Sequence, residues 1–162
     1  MDDQLAALGE VGTALERERI AYWLFGGWAV DFYVGSVTRA HDDVDIAVWL
    51  DGVPRIAALL EASGWHHAPE KDEDGGTGYE RGGVRLELTF LVRDGDGRIC
   101  IPLRSGLVPW SDGSFGEDVR ELDGVHARVI ALAALKRGKS VPRDDPDDAG
   151  KDRTDYERLS GL

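Results

Sequence analysis

Residues 25–49 read FGGWAVDFYVGSVTRAHDDVDIAVW, and the end of this stretch sets the expectation for the whole chain. Successive side chains of a strand face opposite ways. Asp43 and Asp45 therefore share one face, while Val44 and Ile46 point to a core. Two carboxylates on one face repel each other and lose hydration unless a cation lies between them. A hard ion such as Mg2+ suits that place, because it takes one or two carboxylates together with substrate phosphates. Upstream, the apolar run AYWLF at residues 21–25 ends in Gly26-Gly27, where the missing Cβ lets backbone N–H groups approach a phosphate. Residues 28–34 read as a short helix starting at that turn, which adds its dipole to the same place, and Gly35 closes it. A phosphate cradle beside paired carboxylates points to a nucleoside triphosphate site.

Working outward, Leu5, Leu8, Val11 and Leu15 recur at helical spacing behind Asp2 and Asp3, so a capped helix is expected over residues 4–19. Strands are expected at 20–25 and 44–50, and a helix at 53–62 with Pro54 in its first turn. Residues 71–78 read as a polar, Gly-rich loop. Residues 79–92 read as a hairpin turning at Gly82-Gly83, with Leu86, Leu88 and Phe90 on one face and Arg85, Glu87 and Thr89 on the other. A further strand is expected at 98–102, loop at 103–121, a short strand at 124–129 and a helix at 130–137. Residues 143–149 read as irregular and 151–159 as a final helix. Helices interleaved with strands predict an α/β or α+β class, a small mixed sheet flanked by helices, in a single domain over residues 1–162.

With 162 residues, 42% hydrophobic and 31% charged, the chain has the composition of a globular protein with a real core. Its formal net charge of −12 argues against free nucleic acid as a partner, since phosphate backbones need clustered Lys and Arg. The same charge would draw in a polycationic molecule, although acidity serves solubility as well. Cys100 is the one cysteine, which excludes an internal disulfide and a thiolate metal cluster. No apolar run has membrane-spanning length and the N-terminus lacks signal-peptide character, so a cytoplasmic protein is expected. His66 and His67 read as residues of a short strand rather than metal ligands. Trp28, Tyr79, Trp110 and Phe115 are candidates for stacking on a base or sugar, with core packing as the alternative.

Phe25-Gly26-Gly27, a spacer, then Asp43-Val44-Asp45-Ile46 resembles the signature of the nucleotidyltransferase (DNA polymerase β-like) superfamily. The fuller string, Trp23 to Asp31 with Thr38-Arg39 and His41 to Asp45, is similar to the aminoglycoside 2''-nucleotidyltransferase and lincosamide nucleotidyltransferase group. The resemblance implies the nucleotidyltransferase fold and transfer of a nucleoside monophosphate from an NTP, by expectation ATP, to a hydroxyl of a small molecule such as an aminoglycoside or lincosamide, with release of pyrophosphate. It implies two Mg2+ ions and a third carboxylate on a neighbouring strand, which Glu87 would supply as base, metal ligand or both. The alternative for Glu87 is a pair with Arg85 or exposure to water. It further implies cations on the triphosphate, for which Arg39 and Lys136 are the candidates beside Gly26 and Gly27. His41 would orient a carboxylate, Asp42 would make a structural bond, and Asp31 would cap its helix or pair with Arg39. Lys151, Asp152 and Asp155 resemble a C-terminal pattern that holds the last helix to the site. Two departures stand out: Glu87 where the group has Asp, and Thr89 where a further acid is common, which weakens the case for an aminoglycoside acceptor. Competing readings are a transferase acting on a protein or tRNA, as in toxin–antitoxin pairs, and a non-catalytic nucleotide-binding module. A homodimer is possible where the acceptor pocket needs a second subunit.

Overall fold

The computed structural model describes residues 2–162. Helix α1 (Asp3–Arg17) begins at Asp2, whose carboxylate accepts from the N–H groups of Gln4 and Leu5. Its Leu5, Leu8, Val11 and Leu15 are buried, as the helical spacing predicts. The main sheet contains β1 (Tyr22–Phe25), β2 (Val44–Trp49), β3 (His66–His67), β4 (Gly76–Arg81), β5 (Val84–Arg93), β6 (Ile99–Leu103) and β7 (Gly106–Pro109). The order is β1-β2-β5-β4-β3, with β6 joined to β5 and β7 joined to β6. β2 and β5 run parallel and the other neighbours antiparallel, so the sheet is mixed and the fold is α+β. Strands β8 (Val119–Leu122) and β9 (Val125–Arg128) form a separate ribbon.

Helices α2 (Gly26–Val34), α3 (Val53–Ala62), α4 (Leu132–Ser140) and α5 (Pro146–Leu159) complete the fold. α2 packs on β1 and β2, with α4 and α5 beside it, while α1 contacts β5, α3 and β9. Val44, Ile46, Leu86 and Leu88 are all at most 1% exposed, so the apolar phase of β2 and β5 faces the core as their alternation requires. The β4–β5 hairpin turns at Gly82 and Gly83, with φ 55° and 80°, the paired positive values of a type I′ turn.

Four boundaries differ from the sequence expectation. The loop at 71–78 is shorter, because Gly76, Thr77 and Gly78 pair with Thr89, Leu88 and Glu87 as the start of β4. The region 103–121 holds β7 and the start of β8, short strands without a strong alternating pattern. Residues 146–149, expected to be irregular, open α5: Asp145 accepts from the N–H groups of Asp147 and Asp148, and Pro146 occupies the first turn. Acids that look turn-like in sequence are there as N-terminal helix residues. α4 continues through Gly138 to Ser140 instead of stopping at residue 137. No helix among the described residues is long and apolar enough to cross a membrane.

Candidate active site

β1 runs directly into α2 at Phe25, and no side chain caps the helix. The first-turn N–H groups are therefore left for another acceptor. Gly26 has φ 70°, and a Cβ there would collide with the Asp45 carboxylate. A Cβ on Gly27 would lie 2.6 Å from both Arg39 Nη2 and His41 Nδ1. Both glycines are thus required by the close approach of three polar side chains to the turn, a reason absent from the sequence reading.

The β2–β5 register places Asp45 beside Glu87, and Phe25 pairs with Asp45 from the other side. Asp43 lies just ahead of β2, so the structure gathers Asp43, Asp45 and Glu87 on one face. Burial, then the neighbouring Asp43 and Glu87, push the Asp45 carboxyl up to about 8. Asp43 is raised by burial and by Asp42. Glu87 is raised by burial, which outweighs the opposing pull of Arg85. Glu87 accepts from Arg85 Nε, so the sequence alternative of an Arg85 pair is realised. The same guanidinium donates to Glu80 at 3.0 Å and to the Ala68 carbonyl at 3.1 Å. Among the described residues no three His, Cys, Asp or Glu side chains already converge on a cation position; the carboxylate nearest to completing a trio is turned to Arg85. The donor set still fits a hard divalent cation: oxygen ligands, half-buried, mutually repelling and raised above the ordinary carboxylate range without one.

A cavity of about 460 Å³ opens over Asp43 and Asp45, while Glu87 is not among its lining residues. Gly26, Gly27, Asp43 and Asp45 line it, together with Arg39, Lys139, Arg143 and Lys151. Asp155 is fully buried and accepts from Arg39 Nε at 3.1 Å and Nη2 at 2.9 Å, with Lys139 Nζ 2.9 Å away. Burial pushes the Asp155 carboxyl up, but the bonds from Arg39 and Lys139 outweigh it and hold the group below the usual range. Asp152 takes Lys139 at 3.3 Å and Arg143 at 2.9 Å. Lys151 reaches across to Asp42 at 2.6 Å, which lowers the Asp42 carboxyl. Acids of α5 therefore set the direction of Arg39, Lys139 and Arg143, and Asp42 that of Lys151.

Lys136 is not brought to this cavity. Its ammonium donates to the Leu162 carbonyl at 3.3 Å, while Lys139 takes the inward place. Leu135 and Lys139, four residues apart, share a helix face. That signal was legible, but the expected helix ended before residue 139. Arg39 pairs with Asp155 rather than Asp31. Asp31 instead accepts from the Thr38 N–H at 3.1 Å and hydroxyl at 2.5 Å and meets His41 Nε2 at 2.5 Å. The loop leading to Asp43 is tied to α2 through these bonds, and to α1 through Gln4 Nε2, which donates to the His41 carbonyl at 2.8 Å. Of the aromatic candidates, Trp28 and Tyr79 are core residues. Phe115 packs against Trp23 and Trp110, and Trp110 alone of the four lines the cavity.

The family model for aminoglycoside-2''-adenylyltransferases matches residues 7–159. A 2''-aminoglycoside nucleotidyltransferase of Klebsiella pneumoniae is 30% identical over 69 residues, 43% of this chain and 39% of that protein. A lincosamide resistance protein of Staphylococcus haemolyticus is 34% identical over 62 residues, 36% of this chain and 38% of that protein. The matched stretches thus span about two fifths of these curated relatives. Among solved structures, ANT(2'')-Ia in complex with adenylyl-2''-tobramycin superposes with TM-score 0.75 at 21% identity, covering 99% of this chain and 89% of that one. A lincosamide antibiotic adenylyltransferase with lincomycin bound gives TM-score 0.75 at 18% identity, covering 99% and 97%. At such identities the likeness establishes the fold.

Proposed function

Because this chain belongs to the aminoglycoside-2''-adenylyltransferase family, we propose that it transfers a nucleoside monophosphate from an NTP to a hydroxyl of an antibiotic of the aminoglycoside or lincosamide class. The observation that carries the reading is the register of Asp45 beside Glu87, next to a cavity that joins an uncapped helix N-terminus to four cationic side chains. Asp43 and Asp45 would hold Mg2+, with Glu87 as a further ligand or as the base. Bound there, the metal supplies a Lewis acid to the phosphates.

The chain's own residues account for the rest. The α2 N-terminus and Lys139 take the triphosphate, and Arg39 flanks it. Glu87 accepts the proton of the attacking hydroxyl once Arg85 yields its oxygen. The new bond joins the acceptor oxygen to the α-phosphorus, and the bond from that phosphorus to the pyrophosphate oxygen breaks. The attacking and leaving oxygens lie in line, so positioned cations do most of the work of stabilising developing charge.

Pyrophosphate release should be measured with ATP or GTP, Mg2+ and a panel of aminoglycosides and lincosamides. Release with at least one antibiotic, lost in Asp43→Asn and Asp45→Asn, is expected. Release only on addition of cell lysate would move the acceptor to a macromolecule, and absence of nucleotide binding would refute the transfer reading.

A further inference from the structure

Arg85 and Glu87 leave the same face of β5. Across the hairpin, the register sets Glu80 opposite Arg85 and Gly78 opposite Glu87. The Arg85 guanidinium lies along this face, against Gly78. Its Nε donates to Glu87 Oε1, and its Nη1 donates to Glu80 at 3.0 Å and to the Ala68 carbonyl at 3.1 Å. Glu70 lies 3.5 Å from Nη2. A Cβ on Gly78 would collide with Nη2, whereas the Ala68 carbonyl would be 3.2 Å away. Gly78 is thus the floor of a slot, and its missing side chain is what lets the guanidinium lie there.

That slot decides between two partners for Glu87. Asp45 stands beside Glu87 in the β2–β5 register, on strands about 4.8 Å apart. Glutamate has a long, rotatable stem, so a partner must fix its direction. One direction leads to the cation that Asp43 and Asp45 would share, and the other leads along its own strand to Arg85. The structure takes the second, and Glu87 does not line the cavity that Asp43 and Asp45 line. Glu70 and Glu80 are exposed, so they hold the guanidinium from the solvent side, and Arg85 keeps a counter-charge whichever way Glu87 turns. Its Nη2 is buried without a hydrogen bond, which leaves the guanidinium short of its full bonding and its grip on Glu87 reversible.

We propose that Arg85 is a positioning residue that keeps Glu87 out of the metal's ligand set, so that Asp43 and Asp45 hold the cation and Glu87 is reserved for the acceptor's proton. This rests on the transfer reading above and decides between the two roles left to Glu87 there. A charge-assisted bond from a guanidinium is among the stronger bonds a carboxylate makes, and an oxygen engaged in it is withheld from a second cation. Without Arg85, Glu87 joins Asp43 and Asp45, which raises metal affinity and removes the base.

Titration of the whole protein with Mn2+, without nucleotide, tests this; Mn2+ takes the same oxygen ligands as Mg2+ and is followed by electron paramagnetic resonance. Arg85→Gln should bind Mn2+ roughly tenfold more tightly than the wild type, the worth of one charge-assisted bond. Gly78→Ala, which crowds the guanidinium and leaves the net charge alone, should also tighten binding. A damaged fold would weaken Mn2+ binding, so a gain separates positioning from a structural role. In a Glu87→Gln background, Arg85→Gln should change Mn2+ affinity little. An equal gain in that background would reduce Arg85 to a charge acting on the site as a whole, and would overturn the proposal. So would the absence of a gain in both Arg85→Gln and Gly78→Ala. If Mn2+ bound neither the wild type nor any of these variants, the metal site, and the transfer reading with it, would fall.

Discussion

Replacing Asp45 by Asn should make the metal-free protein more stable, and the gain should grow with pH. Burial, with Asp43 and Glu87 nearby, holds the folded Asp45 carboxyl up at about 8, against 3.8 without these influences. A raised folded value means that the folded state binds more protons than the unfolded one between those limits. Stability from this group is therefore complete below about pH 4 and is lost as pH rises towards about pH 8. Each pH unit in that window removes about 1.4 kcal/mol per proton, so from about pH 5.5 to about pH 7.5 the wild type loses about 3 kcal/mol through this residue. Asn keeps the shape, carries no charge and can donate its amide to Asp43, as a protonated Asp45 would. Urea unfolding followed by circular dichroism, in EDTA, at the two pH values would measure the effect. For a domain of this size the difference corresponds to a melting shift of roughly 6–12 °C. A variant with the same pH slope as the wild type, or one less stable at the higher pH, would refute the claim that the carboxylate cluster is strained without a cation.

Asp155→Asn should cost roughly 3 kcal/mol or more, because it strips Arg39 and Lys139 of a fully buried partner. Asp42→Asn should cost under about 1 kcal/mol, since its carboxylate is 80% exposed and its pair with Lys151 is screened; thermal unfolding of the two variants compares them. Lys139→Gln should weaken Mg2+-tripolyphosphate binding by about tenfold, whereas Lys136→Gln should leave it unchanged; calorimetry reads both, and the reverse order would contradict the placement of α4. Gly26→Ala should destabilise by about 2 kcal/mol or more, from the positive φ and the collision with Asp45, visible as a lowered denaturation midpoint. On the proposed function, Arg85→Gln should slow turnover with little change in the nucleotide Michaelis constant, because Arg85 pairs with Glu87 but does not line the cavity.

Much of the fold was legible in local pattern. The capped amphipathic α1, the Gly-Gly turn into α2, the phase of β2 and the glycine hairpin between β4 and β5 each follow from spacing and turn chemistry that act over a few residues. Boundaries failed where a local signal has two readings. The acids around residue 145 serve a turn or a helix cap equally well, and Gly138 can end a helix or ride within one; packing of α4 against α5 decides for the helix. β6 was expected and is found, whereas β7 was missed because all four of its residues are exposed and leave no alternating pattern.

By itself the sequence determined the family, a small mixed sheet flanked by helices, the Gly-Gly turn and the paired aspartates, because the signature is encoded within one continuous stretch. Tertiary structure alone decided what the distant parts do to that stretch. It set Glu87 beside Asp45 through strand register, gave Glu87 to Arg85, chose Lys139 over Lys136, and pointed Arg39 at Asp155 across the sequence. Apart from the Arg85–Glu87 pair, two residues apart on β5, each of these is a contact between charged groups far apart in the chain. Alternation along one strand shows which face a carboxylate takes, but which cation meets it depends on how strands and helices are brought together, and only the folded backbone holds that information.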